Sequence, residues 1–424
     1  MRHSVETVTL KSGAKGLLIN VPGASVMSTR VQFRGGLRYA KKPEIFEIAH
    51  VVEHLSFGAN AKYKSESAYE SEFTKNGAYH NAWTSDLSIV YETECADFEW
   101  SRILDLKRLA LCSPHFNDVE LKSEKGNVKS ELTSYLNDYN RLLWPRLQQS
   151  IGENVENLAD RLRTLPDIEL KDIREHYRRT HTAGNMRFVI AGNLGFARRR
   201  KIIKMLNSWD LRQGDRLEVP LDDLHSAEPT LIRRKDASNL TFGFSFVTPR
   251  RLDASCTIAL ACLNHILTGT MSSRIFGEAR RRGLVYGMGS SLNMDESKSS
   301  WDFDGEVEEE HAVELFDLIH DELLRVLNGE LDDADLEAAK SYTLGRFQMA
   351  AQTVGQIADF YAEEFFKADE VENYGKIPDI VRTVDKTEIV ELAREFIDSR
   401  ISSLVAVGSC DKSLVSTLAG KLRF

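Results

Sequence analysis

Alternating and helical spacings of apolar positions divide the chain into a recurring series of strands and helices. "TVTLKSGAKGLLINVP" and "VMSTRVQFRGG" read as strands, with Gly and Pro marking the turns. "IFEIAHVVEHLSF" follows with helical spacing, then an amphipathic stretch around "SESAYESEFTKNGA" and a strand at "LSIVYETEC". Helical patterns fill the stretch from about 97 to 181. The strand "NMRFVIAGNL" and the helix "FARRRKIIKML" close the first half.

The second half repeats the scheme. "LTFGFSFVTP" matches the early strand, "CTIALACLNHILTG" the helical run after it, and "ISSLVAVGSCDKSLVSTLAGKL" the closing strand and helix. The polar segment 212–230 lies between the halves and reads as a linker. The expectation is an α+β protein with two homologous domains, 1–211 and 231–424. Each would be an antiparallel sheet with helices packed on one face. Only the first copy carries "HVVEH". The matching place in the second reads "ACLNH", where His265 is expected to be a satisfied core histidine.

Composition narrows the class. With 424 residues, 42% hydrophobic and 28% charged, the chain is long enough for two or three ordinary domains and a sizeable core. A net charge of −9 counts against nucleic acid or an anionic membrane as partner. No apolar run nears the roughly 18 residues of a membrane span. "MRHSVETVTLKSG" has no apolar core of a secretory signal. Cys95, Cys112, Cys256, Cys262 and Cys410 match no zinc or redox spacing and read as reduced core thiols, which points to the cytoplasm. The basic run "ARRRK" at 197–201 reads as a solvated helix face.

One stretch conflicts with its own pattern. In "EIAHVVEHLSF", His50, Glu53 and His54 interrupt a run of Ile, Ala, Val and Leu made for burial. Residues four apart share a helix face, so both imidazoles can reach one point, with Glu53 beside them. Two imidazoles suit zinc, and a neighbouring carboxylate can take a proton from an activated water. H-x-x-E-H is the inverted form of the zinc-protease motif. The alternative is a polar cluster satisfied within the core. A catalytic zinc takes a third protein ligand and leaves a position open. In "FNDVELKSEKGNVKSELTSYLND", Asn117 and Glu120 fit a capping box, and Glu124 and Glu131 stand two turns apart on one face. One can bind metal while the other orients a ligand; both could equally be surface glutamates. His80 could approach as a further ligand.

At these residues the sequence resembles the pitrilysin, insulin-degrading enzyme and mitochondrial processing peptidase family of zinc metallopeptidases. That family's pattern is H-x-x-E-H, then 69 residues, Glu, six residues and Glu, and both spacings recur here. The resemblance implies one zinc per chain on His50, His54 and Glu131, with Glu53 as general base and Glu124 supporting the site. "GAYHNAWTSDLSIVY" resembles the edge strand that binds substrate backbone, which carries over to Asn81 and Ala82. "SSRIFGEARRRGLVYGMGSS" resembles the segment whose Arg and Tyr stabilise the oxyanion. Tyr286 matches directly. The usual Arg position is Ala279, which leaves Arg280, ahead of Arg281 and Arg282, as the stand-in. A second departure is "FEIAH", where the family commonly carries Gly before the "AH" pair. Glu47 and Ile48 occur there, and the change is expected to shape the start of the helix and bind nothing.

The resemblance further implies an endopeptidase acting on short or unfolded peptides. They would lie as an added strand in a closed chamber, of which this chain would form half a clamshell. A homodimer, or a heterodimer with a related chain, would complete it. The alternative is a weak or inactive subunit of the same fold that binds peptides or scaffolds a complex.

Overall fold

The computed structural model describes residues 1–424. Its first sheet holds β1 (Ser4–Thr9), β2 (Lys15–Asn20), β3 (Val26–Arg34), β4 (Tyr79–Thr84), β5 (Ser88–Ala96) and β6 (Met186–Gly192). Across the sheet the order is β1-β2-β6-β3-β5-β4. The second sheet holds β7 (Thr230–Arg233), β8 (Leu240–Thr248), β9 (Val285–Met294), β10 (Ser299–Val307) and β11 (Ile401–Gly408), in the order β7-β11-β8-β10-β9.

The duplication read from the sequence is present in the topology. Exchanging β2, β6, β3, β5 and β4 for β7, β11, β8, β10 and β9 turns one order into the other, with β1 as an extra edge strand of the first sheet. The directions correspond as well. β2 runs parallel to β6 and β7 to β11, while the remaining neighbours are antiparallel. The sheets are therefore mixed and not purely antiparallel. The two strands of each parallel pair are far apart in the chain, with three other strands of the sheet and several helices between them.

The two compact units are not consecutive in sequence, unlike the expected 1–211 and 231–424. The first comprises Met1–Ser134, Ala159–Pro220 and Ala350–Val371; the second comprises Tyr135–Leu158, Leu221–Met349 and Glu372–Phe424. The helix Tyr139–Ser150 thus belongs to the second unit, where Leu143 and Leu147 bury against Val405 and Val407 of β11. Gly243 of β8 makes room for it: a Cβ there would come within 2.5 Å of Leu143. Conversely, the helix Val354–Ala368 belongs to the first unit, where Asp359 pairs with Arg30 of β3 at 3.1 Å.

These exchanged helices also change how the sheets are covered. Side chains alternate between the two faces of a strand. On the first sheet Arg30 faces the exchanged helix, while its neighbouring register pair, Val31 and Tyr91, faces the "HVVEH" helix. On the second sheet Phe242 meets Phe316 of the helix Ala312–Leu327, with ring centroids 5.1 Å apart, and Val405 and Val407 meet Leu143 and Leu147 from the other side. Helices cover both faces, and the central strands β6 and β8 are accordingly buried along their whole length.

The polar segment 212–230 divides at Pro220. Its first part is tied to the first unit: Arg34 donates to the Leu217 carbonyl at 2.5 Å and Arg38 to the Pro220 carbonyl at 2.8 Å. Its second part is tied to the second unit, where Asp222 accepts from the buried Lys298 ammonium at 2.6 Å. All five cysteines are free thiols. No helix is long and apolar enough to cross a membrane.

Candidate metal centre

The "HVVEH" run forms the helix Ile48–Ser56, nine residues without Gly or Pro. Most of it is buried, including His50 and Glu53. The helix Asp118–Ser134 packs along it through a stripe of Leu121, Glu124, Val128 and Leu132. Asn117 starts that helix by accepting from the Glu120 amide at 3.0 Å. The Glu120 carboxylate completes no reciprocal backbone cap. It accepts from the Ala59 amide at 3.0 Å and so ties the second helix to the turn that ends the first.

This pairing brings three candidate ligand atoms together. The Nε2 atoms of His50 and His54 lie 3.2 Å apart, and Glu131 Oε2 is 3.5 and 3.8 Å from them. Ligands at about 2.0–2.1 Å from a tetrahedral zinc are separated by about 3.3 Å, so the three atoms have the spacing that such an ion needs. The tautomers fit too. His50 Nδ1 donates to Glu47 Oε1 at 2.7 Å and His54 Nδ1 to Glu124 Oε2 at 2.9 Å. Once a cation displaces the second ring proton, each imidazole presents a lone pair at Nε2, the arrangement of carboxylate, histidine and metal.

The charges point the same way. Glu53, Glu124 and Glu131 surround two imidazoles, and the carboxylate of Glu47 is matched by Arg161. Burial alone would lower the His50 imidazole, yet Glu131, Glu47 and Glu53 outweigh it and lift it to about 9. Burial likewise opposes His54, and Glu124, Glu131 and Glu53 lift it to about 10. A site that holds protons this firmly offers a strong field to a divalent cation. Burial raises the Glu53 carboxyl above its usual range, against the pull of the two histidines and a 2.8 Å hydrogen bond from Thr84. Glu124 is held low, first by its bond to His54.

Glu47 corrects the expectation that this position binds nothing. Besides His50 it meets the Arg161 guanidinium, and although burial opposes its charge, Arg161 and His50 hold its carboxyl down to about 2. Sequence reasoning passed it over because Arg161 lies 114 residues away. The only local hint was a glutamate in an apolar run, three residues before His50.

His80 does not join the centre. Its Nε2 bonds Glu70 at 2.5 Å and its ring stacks on Phe73 at 4.2 Å. Asn81 and Ala82 lie on β4, the edge of the first sheet, opposite Glu92 and Tyr91 of β5. Thr84, at the end of the same strand, is the donor to Glu53, so the edge strand and the H-x-x-E-H helix are directly linked.

In the second unit, Tyr286 lies on β9, the edge strand equivalent to β4, and is 86% exposed. Gly283, with φ of 74°, makes the turn that starts the strand. Arg280 stacks on the Tyr286 ring, 4.4 Å from its centroid, and donates to the Tyr286 carbonyl. Arg281 and Arg282 are instead engaged by Glu278, at 2.6 and 2.7 Å. The counterpart of the "HVVEH" helix is Ala254–Leu267, where Ala261 replaces His50 and Asn264 replaces Glu53. His265 is half-buried, and its Nδ1 has no hydrogen-bond partner, contrary to the satisfied histidine expected there.

Comparison with known proteins divides the chain elsewhere, between residues 162 and 167. Residues 16–162 match the insulinase family, peptidase family M16, and residues 167–342 match the peptidase M16 inactive domain. The chain belongs to peptidase family M16, the pitrilysin family. Among M16-related sequences, it is 23% identical over 357 residues to the uncharacterized zinc protease YmxG of Bacillus subtilis (strain 168), across 82% of this chain and 85% of that one. A nardilysin-like protein of Arabidopsis thaliana is 25% identical over 209 residues, which are 42% of this chain but 18% of that protein. Solved structures share the fold at low identity. A protease from Helicobacter pylori aligns with a TM-score of 0.82 and 17% identity, over 96% of this chain and 100% of that one. A peptidase M16 inactive domain from Pseudomonas fluorescens aligns with a TM-score of 0.84 and 16% identity, over 96% and 98%.

Proposed function

We propose that the chain is a zinc-dependent endopeptidase that cuts short or unfolded peptides. The convergence of His50 Nε2, His54 Nε2 and Glu131 Oε2 carries this reading. These residues would hold one zinc ion, which supplies a Lewis acid for the scissile carbonyl and a water that ionises near neutral pH. Glu53 would take a proton from the attacking water and return it to the leaving amine. Its burial and raised carboxyl suit a group that must both accept and release a proton. Glu124 would keep the His54 ring in place.

The substrate would add to the outer edge of β4, near Asn81 and Ala82. An edge strand offers unpaired backbone groups, and an extended peptide can satisfy them. Such binding reads backbone and demands an unfolded segment. Sequence preference is expected to be weak. On the family resemblance, Tyr286 and Arg280 would bind the substrate carbonyl oxygen as charge develops on it.

A subunit that binds peptides without cutting them is the second reading. It draws on the match of residues 167–342 to an inactive domain. Against it, the first unit keeps the H-x-x-E-H residues and both glutamates. The deciding experiment loads wild type and Glu53→Gln with zinc. Both are offered a quenched, unstructured peptide of about 15–20 residues, long enough to lie as one extended strand. Cleavage by the wild type alone supports the peptidase with Glu53 as base. Zinc in both proteins and cleavage by neither would favour the second reading.

A further inference from the structure

Glu47 is completely withdrawn from solvent at the start of the H-x-x-E-H helix. A buried carboxylate is costly unless paired, and this one is paired from two sides. Arg161 grips it as a fork, Nε to Oε2 at 2.6 Å and Nη2 to Oε1 at 2.8 Å. His50 Nδ1 donates to the same Oε1 at 2.7 Å. Arg161 stands on a different element, the short helix Leu158–Thr164, and its own side chain is mostly covered. Stability alone gives little reason for such a pair, because apolar side chains of similar volume often do as well in a core. The bond to His50 supplies a reason. A carboxylate on Nδ1 decides which ring nitrogen carries the proton and which way the ring faces. The planar Arg fork leaves the carboxylate one orientation, and it takes up part of the negative charge. Glu47 then accepts the Nδ1 proton as a hydrogen bond without removing it.

We propose that Glu47, locked by Arg161, is a positioning residue for the metal, aiming His50 Nε2 at the point shared with His54 and Glu131. The inference rests on the zinc reading above. It gives His50 an orienting carboxylate independent of Glu124, which serves His54 from the other helix.

The test compares wild type, Glu47→Gln and the double variant Glu47→Leu/Arg161→Leu. The double variant removes both charges together and leaves no unpaired ion in the core. Zinc affinity is measured by competition with a chelator, and Co²⁺ is substituted to record its d–d absorption. The double variant is expected to bind zinc about 10–100-fold more weakly and to shift the Co²⁺ bands. Glu47→Gln, which keeps an oxygen acceptor for Nδ1, is expected to fall between it and the wild type. Variants that bind zinc as tightly as a zinc-binding wild type, with unchanged Co²⁺ bands, would overturn the proposal. Should the double variant not fold, Glu47→Gln decides by the same comparison. A wild type that binds no zinc would remove the metal reading and the proposal with it, before any variant is compared.

Discussion

Tyr342 lies stacked on His265, with ring centroids 4.0 Å apart and planes 15° from parallel. It follows His265 by 77 residues, the same interval that separates Glu131 from His54. The second unit therefore keeps the geometry of two facing helices and sets an aromatic ring where the first unit has the Glu131 carboxylate. With Ala261 in the place of His50, only one imidazole is left there. The expected zinc content is one ion per chain. His50→Ala should abolish it, whereas His265→Ala and Tyr342→Glu should leave it at one. Metal analysis after dialysis measures this, and stoichiometric zinc in His50→Ala would remove His50 from the ligand set.

Thr84 couples the edge strand to Glu53 through a 2.8 Å hydrogen bond. That bond favours the ionised carboxylate and works against the burial that raises it. Thr84→Val should push the Glu53 carboxyl further up. The acid limb of the kcat/KM profile should then move to higher pH, with zinc content unchanged. An unmoved profile would mean that Glu53 does not set that limb.

Arg280 is the one of three consecutive arginines that touches Tyr286; Glu278 occupies the other two. Arg280→Ala should lower turnover more than Arg281→Ala or Arg282→Ala. Tyr286→Phe should lower kcat by about a hundredfold, the scale of losing one oxyanion donor, without loss of zinc. Equal effects from the three arginines would reduce the role of the run to bulk charge.

His176 and His181 are fully buried, and burial lowers both imidazoles to about 3. His176 bonds the Gly35 carbonyl at 2.8 Å, and His181 bonds the Tyr91 hydroxyl at 2.9 Å. Unfolded, each would titrate near 6.5. Between these values the unfolded chain holds more protons than the folded one. The stability they permit is complete above pH 6.5 and declines as the pH falls, by up to about 1.4 kcal/mol per pH unit for each histidine. Urea midpoints from pH 6 to 5 should show this fall; above pH 6.5 the raised imidazoles of His50 and His54 work in the opposite sense. His176→Gln keeps a donor to Gly35 and should flatten the slope by about one proton.

The exchanged helices make the halves interdependent. Residues 1–211 expressed alone would carry the helix Tyr139–Ser150 without its sheet and lack Val354–Ala368, which covers their own. That fragment is expected to aggregate and to be cut rapidly by protease. The full chain nicked within 212–230 should stay together on gel filtration. Leu143→Ala should cost about 2–5 kcal/mol, since the side chain is wholly buried.

Much of the centre was legible because its residues recur at helical intervals. His50, Glu53 and His54 fall within two turns of one helix, and Glu124 and Glu131 within two turns of another. Helical geometry alone puts each set on one face. Strand patterns and their repetition likewise indicated two related α+β halves, and the two sheets have matching strand orders.

What the sequence determined by itself was local: which residues form each helix and strand, which face of each is apolar, and which polar groups interrupt that face. Tertiary structure decided the partners. An amphipathic pattern states that a helix buries a stripe but not against which sheet, so the exchange of Tyr139–Ser150 and Val354–Ala368 followed only from packing. The same holds for Glu47, whose charge is tolerable only because Arg161, 114 residues away, meets it in the core. Periodicity acts over a few residues, whereas burial and charge pairing are settled by whichever segments the fold brings together.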